Sequence, residues 1–258
     1  MSKPSVLYLA INLPRSGERR QSILAQAEQF GIDLQIVDAV DGKDIVVQEM
    51  DCYDLNTRRR YFYTDLTSNE VACVLSHRKA LKLFLDSGAD YVVIVEDDAE
   101  LAPHFNEGVR ELTEHLRGWQ VAKLFTADGR LFPLMPHNPE APVQPVFPKK
   151  ILWMSIGYMY TREGAQALYE GMQSFYQPAD VLIAQYVLKH NIPTIGVEPG
   201  MVLVHPVGEQ SDIDSQGAEC RASDGPVRKW FAHRCMVWRT ALGKRRMRRN
   251  MSRLLHRD

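Results

Sequence analysis

The segment YVVIVEDDAEL, residues 91–101, constrains this chain more than any other. From Tyr91 to Val95 every residue is aromatic or β-branched, which suits a strand buried on both faces. The run then stops at three adjacent acids, Glu96, Asp97 and Asp98. Carboxylates this close repel one another unless positive charge sits among them. They are a solvated acidic turn, a cap for the next helix, or a cation site at a sheet edge. In an extended backbone Glu96 and Asp98 share one face and Asp97 takes the other. Two same-face carboxylates can share a hard divalent cation, Mn²⁺ or Mg²⁺, and leave coordination places for phosphate oxygens.

Patterns on either side supply the rest of the sheet. VLYLAIN (6–12) reads as a buried strand and ERRQSILAQAEQFG as a helix ending at Gly31. LQIVDAV (34–40) is a second strand, giving the opening of a Rossmann-like half. Residues 43–67, with RRRYFY at 58–63, are polar and irregular, a long loop or short helix flanking the site. A helix then runs from an expected N-cap at Ser68 to Gly88. Further along come a helix over 104–119, a strand over 121–129 and a proline-rich, extended surface excursion near the site over 130–148. Strands around Gly157, two helices (the second capped by Asp180) and two short strands complete the body. The expected fold is α/β, a mostly parallel sheet with helices on both faces and later strands mixed in direction.

With 258 residues, 45% hydrophobic and 24% charged, the chain has the makings of one large globular domain. No window approaches the roughly 18 apolar residues of a membrane span, and the N-terminus reads as a first strand instead of a signal peptide. Four scattered cysteines without a C-x-x-C pair point to free thiols in a reducing cytoplasm.

In open α/β sheets ligands bind beyond the C-terminal strand ends. Asn12, Arg15, Arg19 and Arg20 follow the first strand, where the arginine forks suit a diphosphate and Asn12 a base or ribose. Arg19 and Arg20 are equally compatible with a solvated helix face. Asp38, ending the second strand, suits a ribose or uracil hydrogen bond.

Several segments, in order, resemble glycosyltransferase family 25, which includes bacterial lipooligosaccharide sugar transferases and animal collagen galactosyltransferases. They are YLAINLPRSGERR (8–20), DAVDG (38–42), NEVACVLSHRKALKLFLDSGADYVVIVEDDAEL (69–101), GYMYTREGAQAL (157–168) and QPADVLIAQY (177–186). The resemblance covers about residues 6–212 and implies an A-type nucleotide-sugar transferase fold. It also implies inverting transfer of a hexose, usually galactose from UDP-galactose, to a lipid-linked glycan acceptor. UDP-glucose or UDP-N-acetylglucosamine as donor, and a non-catalytic nucleotide-sugar-binding relative, are the alternatives. Glu96-Asp97-Asp98 stands where the family has its D-x-D metal motif, and Asp180 matches its Pro-x-Asp. That match makes Asp180 the first choice for the base, with a plain N-cap as the alternative. Asp128, in FTADG, competes for that role, or forms an ordinary Asp-Gly turn. Ser76 and His77 are placed near the donor by the same resemblance. His205 would complete the metal shell, as a C-terminal histidine does in some A-type transferases.

The tail, 226–258, lies outside the resemblance and stands apart from a catalytic domain over 1–225. Eleven of the 31 Lys/Arg fall in it against one acid, leaving 20 bases and 31 acids in the body. Interleaved with Trp230, Phe231, Trp238, Leu242 and Leu254, these bases describe either a basic amphipathic helix on anionic lipid or a packed helix with a solvated basic face. Nothing upstream looks like a nucleic-acid module. The expected setting is cytoplasmic, peripheral on the inner face of the inner membrane.

Overall fold

The computed structural model describes residues 3–126, 131–148, 154–204 and 226–255. The opening half is as its patterns require: β1 (Val6–Asn12), α1 (Gly17–Phe30) and β2 (Leu34–Asp38), with α1 stopped by Gly31 in the left-handed region at φ 64°. Between β2 and the next long helix lie two short 3₁₀ turns, Gly42–Asp44 and Val47–Glu49, and α2 (Leu55–Tyr61). Helix α3 (Ser68–Asp86) starts one residue earlier than its sequence signal, because Thr67, not Ser68, is the N-cap. The Thr67 hydroxyl accepts from the Glu70 N–H while the Glu70 carboxylate accepts from the Thr67 N–H, a reciprocal box.

Then come β3 (Tyr91–Glu96), β4 (Ala99–Leu101), α4 (Phe105–Arg110) with a π-helical turn over Glu111–His115, and β5 (Val121–Lys123). The strand expected over 121–129 therefore ends at Lys123. The proline-rich excursion is not wholly irregular: it holds β6 (Leu131–Pro133) and β7 (Gln144–Pro148), paired antiparallel. Next are β8 (Gly157–Thr161), α5 (Arg162–Gly171), α6 (Ala179–His190), β9 (Thr194–Glu198), β10 (Val202–Val204) and α7 (Pro226–Leu255).

Eight strands form one sheet in the order β2-β1-β3-β8-β5-β9-β7-β6. From the pairings, β1, β2, β3, β5, β9 and β6 run one way and only β8 and β7 oppose them. The step from β1 out to β2 and back to β3 puts α1 and α3 on opposite faces, since crossovers are right-handed. Helices α3, α5 and α6 pack together on one face. On the other, Phe105 of α4 meets the rings of Tyr8 and Phe30. Val92, Val93, Ile94 and Val95 are all at most 2% exposed, as a strand covered on both sides must be.

Helix α7 packs on α6 and α2. Met247, Met251 and Leu255, one per turn, are buried in the core, and Arg246 donates to the carbonyls of Leu188 and Lys189 at the end of α6. Over 239–255 the tail is thus a packed helix with a solvated basic face. The side chains of Trp230, Phe231 and Trp238 lie outside the described residues. Among the described residues no helix is long and apolar enough to cross a membrane.

Candidate active site

The C-terminal ends of β1, β2 and β3 lie side by side, because Asn12 pairs with Asp38 and Ile11 with Glu96. The extended backbone ends at Glu96. Asp97 and Asp98 form a turn into β4, so the strict alternation expected for the three acids does not continue past the first. Each acid consequently has its own surroundings. Glu96 Oε1 accepts from His77 Nε2 at 3.1 Å and from the Ser155 hydroxyl. Burial pushes the Glu96 carboxyl up, but the His77 hydrogen bond and charge, with Ser155, outweigh it and leave it below the usual range. Asp97 accepts from Asn12 Nδ2 at 2.7 Å and from Arg19 at 3.5 Å. Burial still leaves its carboxyl raised.

Asp98 is the exception. Its Oδ1 is buried and has no hydrogen-bond partner. Burial, then the charges of Glu96 and Asp97, push this carboxyl up to about 7. A buried carboxylate oxygen left unpaired is costly. A hard divalent cation beside it would satisfy the oxygen and cancel the repulsion, so Asp98, with Glu96 alongside, fits Mn²⁺ or Mg²⁺. His205, the third expected ligand, lies outside the described residues; the last described register before it pairs Val204 with Ala99.

Asp180 faces the same acidic basin. The N-cap of α6 is Pro178, not Asp180, which sits inside the first turn. Its carboxylate accepts from its neighbour Val181 N–H at 2.6 Å and from Met154 N–H at 3.2 Å. Burial raises Asp180, opposed by those two N–H groups and by the charge of Lys123, and Glu96 adds to the rise. Lys123, on β5, is 2% exposed, and burial pushes it down to about 8 despite Asp180. Residues 154–156 strap the two acids together. Met154, at φ 59°, donates to Asp180, Ser155 donates to Glu96, and the Ile156 carbonyl accepts from the Glu96 N–H. Asp128, the competing base, lies outside the described residues.

Beyond the end of β1 the arginines are held by acids. Arg15 pairs with Asp41, Arg20 with Asp38 at 3.6 Å, and Arg19 with Asp97. Asn12 is 1% exposed; its Nδ2 donates to Asp97 and the Ser16 carbonyl, while its buried Oδ1 has no partner. Ser76 positions the loop after β2: its hydroxyl donates to the Ala72 carbonyl and accepts from the Val40 N–H.

Three residues of the site escaped the sequence reading. Ser155 and Lys123 come from distant segments and carry no local signal. Cys73 was readable in principle, since it lies one helical turn before His77. The ligand atoms of Cys73, His77 and Glu96 all lie within 4.8 Å of one another. Burial, reinforced by Glu96 and Asp180, holds the Cys73 thiol well above its ordinary range and therefore neutral. This cluster is a polar wall that fixes Glu96. Its main post is testable: His77→Ala should cost about 2 kcal/mol in urea unfolding, because Glu96 keeps its burial and loses a donor. His77→Gln should recover part of that, and a cost near zero for His77→Ala would mean that Glu96 does not depend on the imidazole.

Three carboxylates at the end of β3 thus lie beside an arginine-rich start of α1. A family model described as Glycosyltransferase family 25 (LPS biosynthesis protein) matches residues 7–183, and the chain belongs to that family. Procollagen galactosyltransferase 2 of Homo sapiens is 25% identical over 166 residues, covering 61% of this chain and 26% of its own. A glycosyltransferase 25 family member of Anopheles gambiae is 30% identical over 126 residues, covering 45% and 21%. The protein of Mus musculus called inactive glycosyltransferase 25 family member 3 is 30% identical over 116 residues, covering 40% and 18%. The chain thus spans about a quarter of the length of the human relative it matches. Among solved structures, a glycosyltransferase involved in the glycosylation of the major capsid of PBCV-1 aligns over 65% of this chain and 66% of its own, at 7% identity and TM-score 0.32.

Proposed function

We propose that the chain is an inverting, metal-dependent hexosyltransferase that moves galactose from UDP-galactose to a lipooligosaccharide or lipopolysaccharide glycan. It would act in the cytoplasm at the inner face of the inner membrane. The observation that carries this reading is the buried, unpartnered Asp98 oxygen, with its carboxyl pushed up to about 7. Asp98, Glu96 and His205 would hold Mn²⁺ or Mg²⁺, which when bound offsets negative charge on the departing diphosphate.

The other roles fall to the chain's own side chains. Arg15 and Arg20, now paired with Asp41 and Asp38, would exchange those carboxylates for diphosphate oxygens, and Asn12 and Asp38 would bond the nucleoside. Asp180 takes the proton from the acceptor hydroxyl. That oxygen bonds to the anomeric carbon as the carbon's bond to the diphosphate breaks, on the opposite face of the sugar, and UDP leaves. Burial of Asp180 raises its carboxyl and so makes it a better base than an exposed aspartate.

A panel of UDP-sugars, each assayed for hydrolysis and transfer with Mn²⁺ and with EDTA, tests this. UDP-galactose should turn over fastest, and EDTA should abolish the turnover. Preference for UDP-glucose or UDP-N-acetylglucosamine would move the donor assignment. No turnover of any donor, with Mn²⁺ without effect, would make the chain a non-catalytic relative.

A further inference from the structure

Three arginines of α7 have no role in the fold comparable with that of Arg246. Arg248, Arg249 and Arg253, with Ser252, line a cleft of about 410 Å³ against Phe132, Pro133 and Leu134 of the β6 segment. Positions 248 and 252, and 249 and 253, are each one turn apart, so the four side chains form a single patch. Arg249 and Arg253 are then a like-charge pair on adjacent turns, an arrangement that costs stability unless an anion joins it. Of the other arginines, Arg15, Arg19, Arg20 and Arg59 each pair with an aspartate, and Arg58, Arg78, Arg117 and Arg162 donate to backbone carbonyls. Among the described residues, no carboxylate pairs with Arg248, Arg249 or Arg253. The guanidinium of Arg248 lies over the Phe132 ring, 4.5 Å from its centroid, which fixes one fork of donors at the cleft wall.

The geometry points to a binding site for a phosphate ester, held by Arg248, Arg249, Arg253 and Ser252 in the cleft between α7 and β6. Guanidinium forks match phosphate oxygens in pairs, a hydroxyl adds a neutral donor, and Phe132 offers an apolar wall to the organic part of the ester. The volume is too large for a bare phosphate ion and falls within the range of small-molecule sites. The cleft is also remote from the acids. β6 is the edge strand five places from β3, roughly 24 Å across the sheet at ~4.8 Å per strand. The site therefore does not rest on the transferase reading, and it gives the basic tail an address for an anion. The phosphate has two sources with the same chemistry, a soluble sugar phosphate or a lipid headgroup.

The test uses the full chain and the double variant Arg249→Glu/Arg253→Glu, whose substituted side chains are exposed and leave Phe132 covered by Arg248. Binding is measured to glucose 6-phosphate by calorimetry, and to phosphatidylcholine vesicles with and without phosphatidylglycerol by co-sedimentation. Wild type should bind at least one of the two phosphates, more weakly as salt rises. The variant should lose about tenfold or more of that affinity with its melting temperature intact. Binding of glucose 6-phosphate lost in the variant supports the site with a soluble ester. Binding of only the anionic vesicles, lost in the variant, supports it with a headgroup. Binding to neither, or binding that the double variant leaves unchanged, overturns it.

Discussion

Asp98→Asn should make the metal-free protein more stable at pH 8 while removing its ability to use a metal. The Asp98 carboxyl is raised from 3.8 to about 7 in the fold. A raised carboxyl contributes stability that is fully present below its unfolded value and is lost as pH rises through the folded one. Wild type should therefore lose stability between about pH 4 and pH 8. At ~1.4 kcal/mol per tenfold change the full loss is about 4 kcal/mol, and partial solvent access cuts it to about 2 kcal/mol. An amide at 98 has no charge to desolvate, so the variant's profile should be flatter over this range. Urea unfolding in EDTA at pH 5 and pH 8 reads the difference directly. A variant less stable than wild type at pH 8 would mean that Asp98 is partnered after all. The balance is the one expected where a buried charge is kept for function at the expense of the fold.

Asp180→Asn should lower sugar transfer by about 10²–10⁴-fold, the range for a lost general base, and leave UDP-galactose binding within about twofold. The amide keeps an oxygen for the Val181 or Met154 N–H but cannot take a proton, so chemistry is lost while the strap over 154–156 keeps one of its anchors. Loss of the countercharge should also push Lys123 further down, since Asp180 is the charge that raises it. Transfer assays and donor titrations on the same preparation separate the two roles. Equal loss of binding and transfer would make Asp180 a structural anchor of the pocket and not its base.

Local patterns carried much of this structure into the sequence. The β1–α1–β2 opening, helix α3 and β3 were legible because each is a run of one periodicity closed by a glycine, a cap or an acid cluster. The edge strand β6 and its neighbour β7 were not, since Pro133, Pro145 and Pro148 argue locally against strands, and only pairing with β9 and with each other makes them so. The acids were found, but their division of labour was not. A turn at Asp97-Asp98 replaces the extended backbone that the alternation assumed. Glu96 is then claimed by His77, 19 residues back, and by Ser155, 59 residues on. No window of sequence holds both partners. The tail's charge was legible, while its packing through Met247 and Met251 became visible only against α6 and the core.

In the proposed function Asp98 receives a divalent cation that meets the donor's diphosphate. Equilibrium dialysis of Mn²⁺ against wild type and Asp98→Asn, each with UDP present, tests it without any assumption about the sugar or the acceptor. Uptake by wild type is the expected result, with affinity weaker by at least about tenfold in the variant. Equal uptake by the two proteins, or none by wild type, would contradict it.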